Sequence, residues 1–129
     1  MITQSLTRPI TGRFGGAKNA FAIKAFADRG MEAGETLWAE TIATEVAFHS
    51  GLAGSLGSSP IASTGCEIAV KQNDVEVGRV IWANNATKAH FSWTSDITFS
   101  VGDVISFVVV DADETLADFT ITLVGEVIA

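Results

Sequence analysis

Apolar and polar side chains alternate in short runs along the chain from residue 20 onward. Clear examples are the segments 20–26, 66–72 and 119–123, in which every second side chain is apolar. Alternation with a period of two is typical of β-strands that bury one face. Turn-forming residues recur between these runs every eight to twelve positions, as they do in β-sandwiches. The pattern predicts an all-β fold, an antiparallel β-sandwich of jelly-roll type, over residues 20–129.

Individual strands follow from the same reading. The sequence CEIAVKQ (66–72) is joined to VEVGRVIW (75–82) by a short polar turn, which predicts a hairpin. The segment 36–48, TLWAETIATEVAF, alternates and is rich in Thr and Val, so we read it as one strand interrupted by a bulge rather than as a helix. Strands at 104–110 and 119–124 are expected to close the domain.

The first 19 residues differ in character from the rest. They contain Gly, Pro, Ser and Thr without any sustained period, which predicts an extended arm. Residues 1–18 carry a net charge of +3, whereas the remainder carries −10. We expect this arm to anchor the acidic body to another protein. Its basic and aromatic side chains are the candidate contacts: Arg8, Arg13, Phe14 and Lys18.

Charge and hydropathy exclude several classes of protein. The acidic body disfavours nucleic-acid binding, since contacts with phosphates supply most of that affinity. The longest apolar run, 104–110, is too short to span a membrane, and the N-terminal residues do not resemble a signal peptide. The single cysteine, Cys66, cannot form an intrachain disulfide. We therefore expect a protein that folds in a cytoplasm, with no membrane or nucleic-acid partner.

The acidic segment DADETLAD, residues 111–118, is the strongest candidate for metal chemistry. Oxygen ligands for calcium would come from Asp111, Asp113 and Glu114. The segment does not follow the EF-hand pattern, because Leu116 and Thr122 stand where Gly and Glu are required. The other interpretation is a solvated turn in which Asp113 caps a short helical turn and Leu116 lies under the sandwich. We favour this second interpretation, in which the chain holds no metal.

No catalytic site is predicted. His49 and His90 are the two histidines, but the nearby sequence AGSLG (53–57) lacks the first glycine of a nucleophile elbow. No pair of carboxylates stands out as an acid and base for glycoside hydrolysis. The sequence therefore predicts a protein that is not an enzyme and needs no cofactor.

The three tryptophans are candidates for binding a glycan or another protein. A large aromatic side chain supplies much contact area at little entropic cost. Trp38, Trp82 and Trp93 can serve in this way if they are exposed, or they can pack in the core.

Three segments together resemble a small β-sandwich module found in tail, fibre and head accessory proteins of tailed bacteriophages and prophages. They are GLAGS (51–55), EIAVKQNDVEVGRVIW (67–82) and FSVGDVISFVVVDADETLADFTITLVG (99–125), and the resemblance spans residues 36–125. Two departures affect turns: Asp74 stands where the module commonly has glycine, and Glu114 replaces an alanine. The proline of the penultimate loop is absent.

The resemblance implies a structural or adsorption role in a virion, with no catalytic residues. A capsid decoration or head-fibre protein is favoured over a neck or tail component, because the chain is short. The turn containing VGD is also similar to one in trimeric jelly-roll heads, which implies a homo-oligomer with a trimer as the first expectation. Host surface glycans are a further expected partner. The alternative is a carbohydrate-binding module that uses the tryptophans, with calcium in the acidic segment.

Overall fold

A computed structural model describes residues 20–27, 31–113 and 116–128 of the chain. The described residues form ten strands and no helix, and therefore no helix that could cross a membrane. The strands are β1 (Ala20–Ala27), β2 (Thr36–Thr41), β3 (Val46–Phe48), β4 (Leu56–Ser58), β5 (Cys66–Gln72), β6 (Val75–Trp82), β7 (His90–Ser92), β8 (Ile97–Phe99), β9 (Val104–Asp111) and β10 (Phe119–Val127).

The strands form two antiparallel five-stranded sheets. In the first sheet, the order is β1-β10-β3-β8, and β4 also pairs with β10; in the second, the order is β2-β9-β5-β6-β7. The pairs are nested along the chain, with β1 on β10, β2 on β9, β3 on β8 and β5 on β6. Nested pairing distributed over two sheets is the arrangement of a jelly roll. The all-β, jelly-roll-like prediction is therefore confirmed.

The core lies between the two sheets and is rich in aromatic rings. The Phe48 ring makes edge contacts with Trp93 and Phe99, with centroids 6.1 and 5.7 Å apart. The Trp82 ring makes a similar contact with Phe119 at 5.1 Å. All five side chains are buried, so they supply a large share of the apolar area removed from water.

The single cysteine is part of this core. The Cys66 side chain is buried and its Sγ lies 3.8 Å from the Met31 Sδ. Burial raises the pKa of the Cys66 thiol to about 12. The thiol is therefore protonated at neutral pH and acts as a small apolar side chain.

The predicted hairpin is present as β5 and β6. Two residues, Asn73 and Asp74, connect the strands with φ angles of 49° and 70°. Positive φ at both central positions is typical of the turn that best matches the twist of a hairpin. Asp74 adopts this conformation without glycine, so the two-residue turn is in place.

The prediction of one strand over residues 36–48 is wrong. The segment contains β2 and β3, which belong to different sheets, and residues 42–45 cross between them. Alternation continues through the crossing because Ile42 is buried there, which explains why the pattern resembled one strand. The expected bulge is present between Thr36 and Trp38.

The closing strands agree with the sequence. Phe119, Ile121 and Leu123 are buried, as the alternation predicts, and Thr120 is exposed on the opposite face. β10 pairs with three strands, which makes the last strand a central member of its sheet.

Candidate interaction surfaces

The structure separates the three tryptophans. Trp82 and Trp93 are buried, and Trp93 Nε1 donates a hydrogen bond to the carbonyl of Phe48 at 3.1 Å. Trp38 lies on the edge strand β2 and is 42% exposed. Its Nε1 donates to Glu40 Oε1 at 3.3 Å. Of the three candidates for ligand stacking, Trp38 is therefore the one whose ring faces solvent.

The acidic segment contains a buried carboxylate. Asp113 Oδ2 accepts hydrogen bonds from Ser63 Oγ at 3.0 Å and from the Thr64 backbone N–H at 2.7 Å. The Ser63 hydroxyl in turn accepts from the Gly65 N–H at 2.8 Å. Leu116 is buried, as predicted. These contacts join the acidic segment to the loop before β5, a role that the sequence did not reveal.

Two predicted sites extend beyond the described residues. Glu114 and the arm residues Arg8, Arg13, Phe14 and Lys18 lie outside the ranges that the structure describes. Within those ranges, no group of three or more His, Cys, Asp or Glu side chains has an arrangement that could hold a metal ion. Calcium binding at Asp111, Asp113 and Glu114 stays an untested alternative, and anchoring by the arm stays a prediction.

The structure brings together an ion-pair cluster that sequence analysis missed. His49 follows β3, and its Nε2 lies 2.9 Å from Glu126 Oε1 on β10, while its Nδ1 lies 3.6 Å from Asp96 Oδ2. Asp96 also accepts the Ser50 N–H at 2.8 Å. The Glu126 carboxylate, followed by Asp96, raises the pKa of His49. The residues are 30 to 77 positions apart, so no local pattern could have indicated the cluster.

Protonation of His49 should stabilise the fold modestly. Because its pKa is raised, the stabilisation is fully present below the unfolded value of 6.5 and is lost as pH rises through the folded pKa. For this half-exposed cluster, we expect His49→Gln to lower the melting temperature at pH 5.5 by about 1–3 °C, with a smaller effect at pH 8.5. Thermal melts at both values check this, with His90→Gln as the control. An equal effect of His49→Gln at the two pH values would contradict the assignment.

The outer face of the β2-β9-β5-β6-β7 sheet is charged and internally paired. Arg79 Nη1 donates to Glu67 at 2.6 Å, and its Nε donates to Glu76 at 2.7 Å. The Glu76 carboxylate raises the pKa of Arg79, and the guanidinium lowers the pKa of Glu76. Ala69, the register partner of Arg79, is buried. Arg79 therefore has two carboxylates of this face as partners.

The outer face of the other sheet has a different composition. On β1, Ile23 and Ala25 are buried, so the alternate residues Ala22, Lys24 and Phe26 point outward. Their register partners on β10 share that face, and β4 adds two more side chains beside β10. We call this surface the open face; its members are Ala20, Ala22, Lys24, Phe26, Leu56, Ser58, Thr120, Thr122, Val124 and Glu126.

The open face mixes apolar and hydroxyl side chains and carries no net charge. Phe26 is 55% exposed and Leu56 is 69% exposed. Lys24 and Glu126 are the two charged residues among its ten members. At its border, Lys88 forms an isolated β-bridge to Ser58. The open face thus contrasts with the acidic character of the chain as a whole.

Comparison of the sequence with models of protein families finds no matching family. A comparison with curated proteins also finds no match.

Proposed function

We propose that this protein is a structural accessory of a bacteriophage virion, acting as a capsid decoration or head-fibre protein. It is held to the particle by its N-terminal arm, forms a homo-oligomer on the surface, and aids adsorption to the host. Its role is not enzymatic. It is made in the host cytoplasm and becomes part of the virion.

The observation that carries the proposal is the resemblance of residues 36–125 to the phage module, together with where those residues lie. The segment 67–82 coincides with the β5–β6 hairpin. The segment 99–125 includes β9, which pairs with β2 and β5 in one sheet, and most of β10, which pairs with β1, β3 and β4 in the other. The resembling residues are therefore the ones that organise the jelly roll, and the substituted turn residue Asp74 keeps the positive φ that the hairpin requires.

The charge distribution supports anchoring by the arm. Residues 1–18 carry +3 and no acid, whereas the body is acidic. The described domain begins at Ala20 on β1, which is an edge strand of its sheet. A segment that precedes an edge strand can reach a neighbouring protein without displacing a strand. A basic arm also favours an acidic site on that neighbour.

Particle reconstitution tests the proposal. Phage particles are produced without this gene, mixed with purified full-length protein or with protein lacking residues 1–18, and then sedimented. We expect the full-length protein to sediment with the particles and the truncated protein to remain in the supernatant. A charge-reversed variant, Arg8→Glu with Arg13→Glu and Lys18→Glu, should behave like the truncation, whereas Lys71→Glu on β5, outside the open face, is the control in the body.

Each outcome has a distinct meaning. If the full-length protein does not bind to particles, the virion role is wrong. If the truncated protein binds equally well, the virion role stands and anchoring by the arm is wrong.

Trp38 supports one alternative function, a carbohydrate-binding module. Its exposed ring on an edge strand offers one face for stacking, and the neighbouring Glu40 offers an acceptor for a sugar hydroxyl. A glycan array probed with wild-type protein and Trp38→Phe and Trp38→Ala variants tests this alternative. Glycan binding that the Trp38→Phe variant retains and the Trp38→Ala variant loses would support this alternative. Absence of binding by the wild type would refute it.

A further inference from the structure

We infer that copies of this chain associate with one another through the open face. The inference rests on the homo-oligomer in the proposed function and assigns a surface to it.

Two large apolar side chains of the open face are exposed to solvent. Phe26 and Leu56 belong to neighbouring register rows, because Thr120 pairs with Phe26 and Thr122 pairs with both Lys24 and Leu56. Both side chains therefore extend from one continuous sheet surface rather than from separate loops. Ala22 and Val124 form the next row. Exposed apolar side chains grouped on one face indicate a surface that is covered in the functional state.

The size of the open face suits a small interface. It spans three strands and carries few large exposed apolar side chains, so a contact here would bury less than the about 800 Å² per partner of a standard interface. Interfaces below the standard size are typical of reversible association. On a particle, where anchoring raises the local concentration of the protein, the same contact becomes much more populated.

Charge identifies the occupant of the open face. Residues 19–129 carry a net charge of −10, so two copies repel each other wherever acidic surfaces meet. The open face avoids this repulsion because its two charged members, Lys24 and Glu126, have opposite signs. They lie two register rows apart on the face. Rotationally related copies can place Lys24 of one beside Glu126 of the other, which makes a second copy the natural occupant.

The matched test compares two apolar residues that are equally exposed but lie on different parts of the surface. Leu56 on the open face is 69% exposed, and Val101, in the turn between β8 and β9, is 68% exposed. Sedimentation velocity on purified full-length protein at micromolar concentrations measures association of the wild type, Leu56→Asp and Val101→Asp. We expect a concentration-dependent oligomer for wild type and Val101→Asp, and at least a tenfold weaker association for Leu56→Asp.

Phe26→Asp provides a second disruption of the same face, and circular dichroism melts show whether each variant is folded. A wild type that remains monomeric, or a Val101→Asp variant that dissociates while Leu56→Asp does not, would refute the inference. The experiment contains no particles, so failure here leaves particle binding by the arm as a separate question. The mass of the wild-type oligomer also tests the expected trimer.

Discussion

Replacing Phe48 by alanine is expected to lower the free energy of unfolding by about 4 kcal/mol, in the range for deleting a buried aromatic ring. Phe48 is fully buried and lies at the centre of the edge contacts with Trp93 and Phe99. Its backbone carbonyl also accepts the hydrogen bond from Trp93 Nε1. Removal of the ring leaves a cavity that both neighbours line, and the anchored Trp93 limits how far they can relax.

Urea denaturation of dilute protein, monitored by tryptophan fluorescence, measures this loss. The control is Phe26→Ala, which removes the same ring from a position that is 55% exposed, and its cost should be less than about 1 kcal/mol in monomeric protein. Similar costs for the two substitutions would mean that Phe48 does not occupy the core as described.

Replacing Asp113 by alanine is expected to lower the free energy of unfolding by about 3 kcal/mol, because hydrogen bonds to a buried carboxylate are stronger than those between neutral groups. The substitution removes the acceptor of the Ser63 hydroxyl and of the Thr64 N–H. Ser63 is itself buried, so its hydroxyl would have to find another acceptor away from bulk water. The loop before β5 and the acidic segment would then be less firmly joined.

The Asp113 prediction also distinguishes a structural carboxylate from a calcium ligand. Asp111 is exposed, so Asp111→Ala should change the free energy of unfolding by less than about 0.5 kcal/mol. We expect the melting temperature of the wild type to be the same with excess CaCl2 and with EDTA. A calcium-dependent increase that both substitutions remove would instead establish the metal site, since a ligand of the folded state must stabilise it.

The sequence was sufficient to predict the strands whose partners are local or whose alternation is complete. The β5–β6 hairpin needs only a two-residue turn between two alternating runs, and β10 alternates from Phe119 to Leu123 without interruption. Both signals depend on residues close together in the chain. These strands could therefore be predicted without knowledge of the tertiary structure.

The interaction surfaces were harder to predict from the sequence because they depend on pairing between distant segments. Trp38 resembled Trp82 and Trp93 in sequence, yet it alone lies on an edge strand. The cluster around His49 requires β10 to lie beside β3. The open face likewise depends on β4 pairing with β10, and β4 is a three-residue strand too short to show an alternating pattern of its own. Periodicity predicts which face of a strand is buried but not which strands share that face.

The nested pairing of the strands also constrains how the protein is synthesised. β10 is the last strand in the chain and pairs with β1, β3 and β4. Its sheet therefore cannot be completed during translation until residues 119–127 have left the ribosome, and β1 has no strand to pair with until then. Contacts between such distant segments are also slow to form. The yield of folded protein should consequently depend on chaperones that protect the nascent chain until its final strand is released.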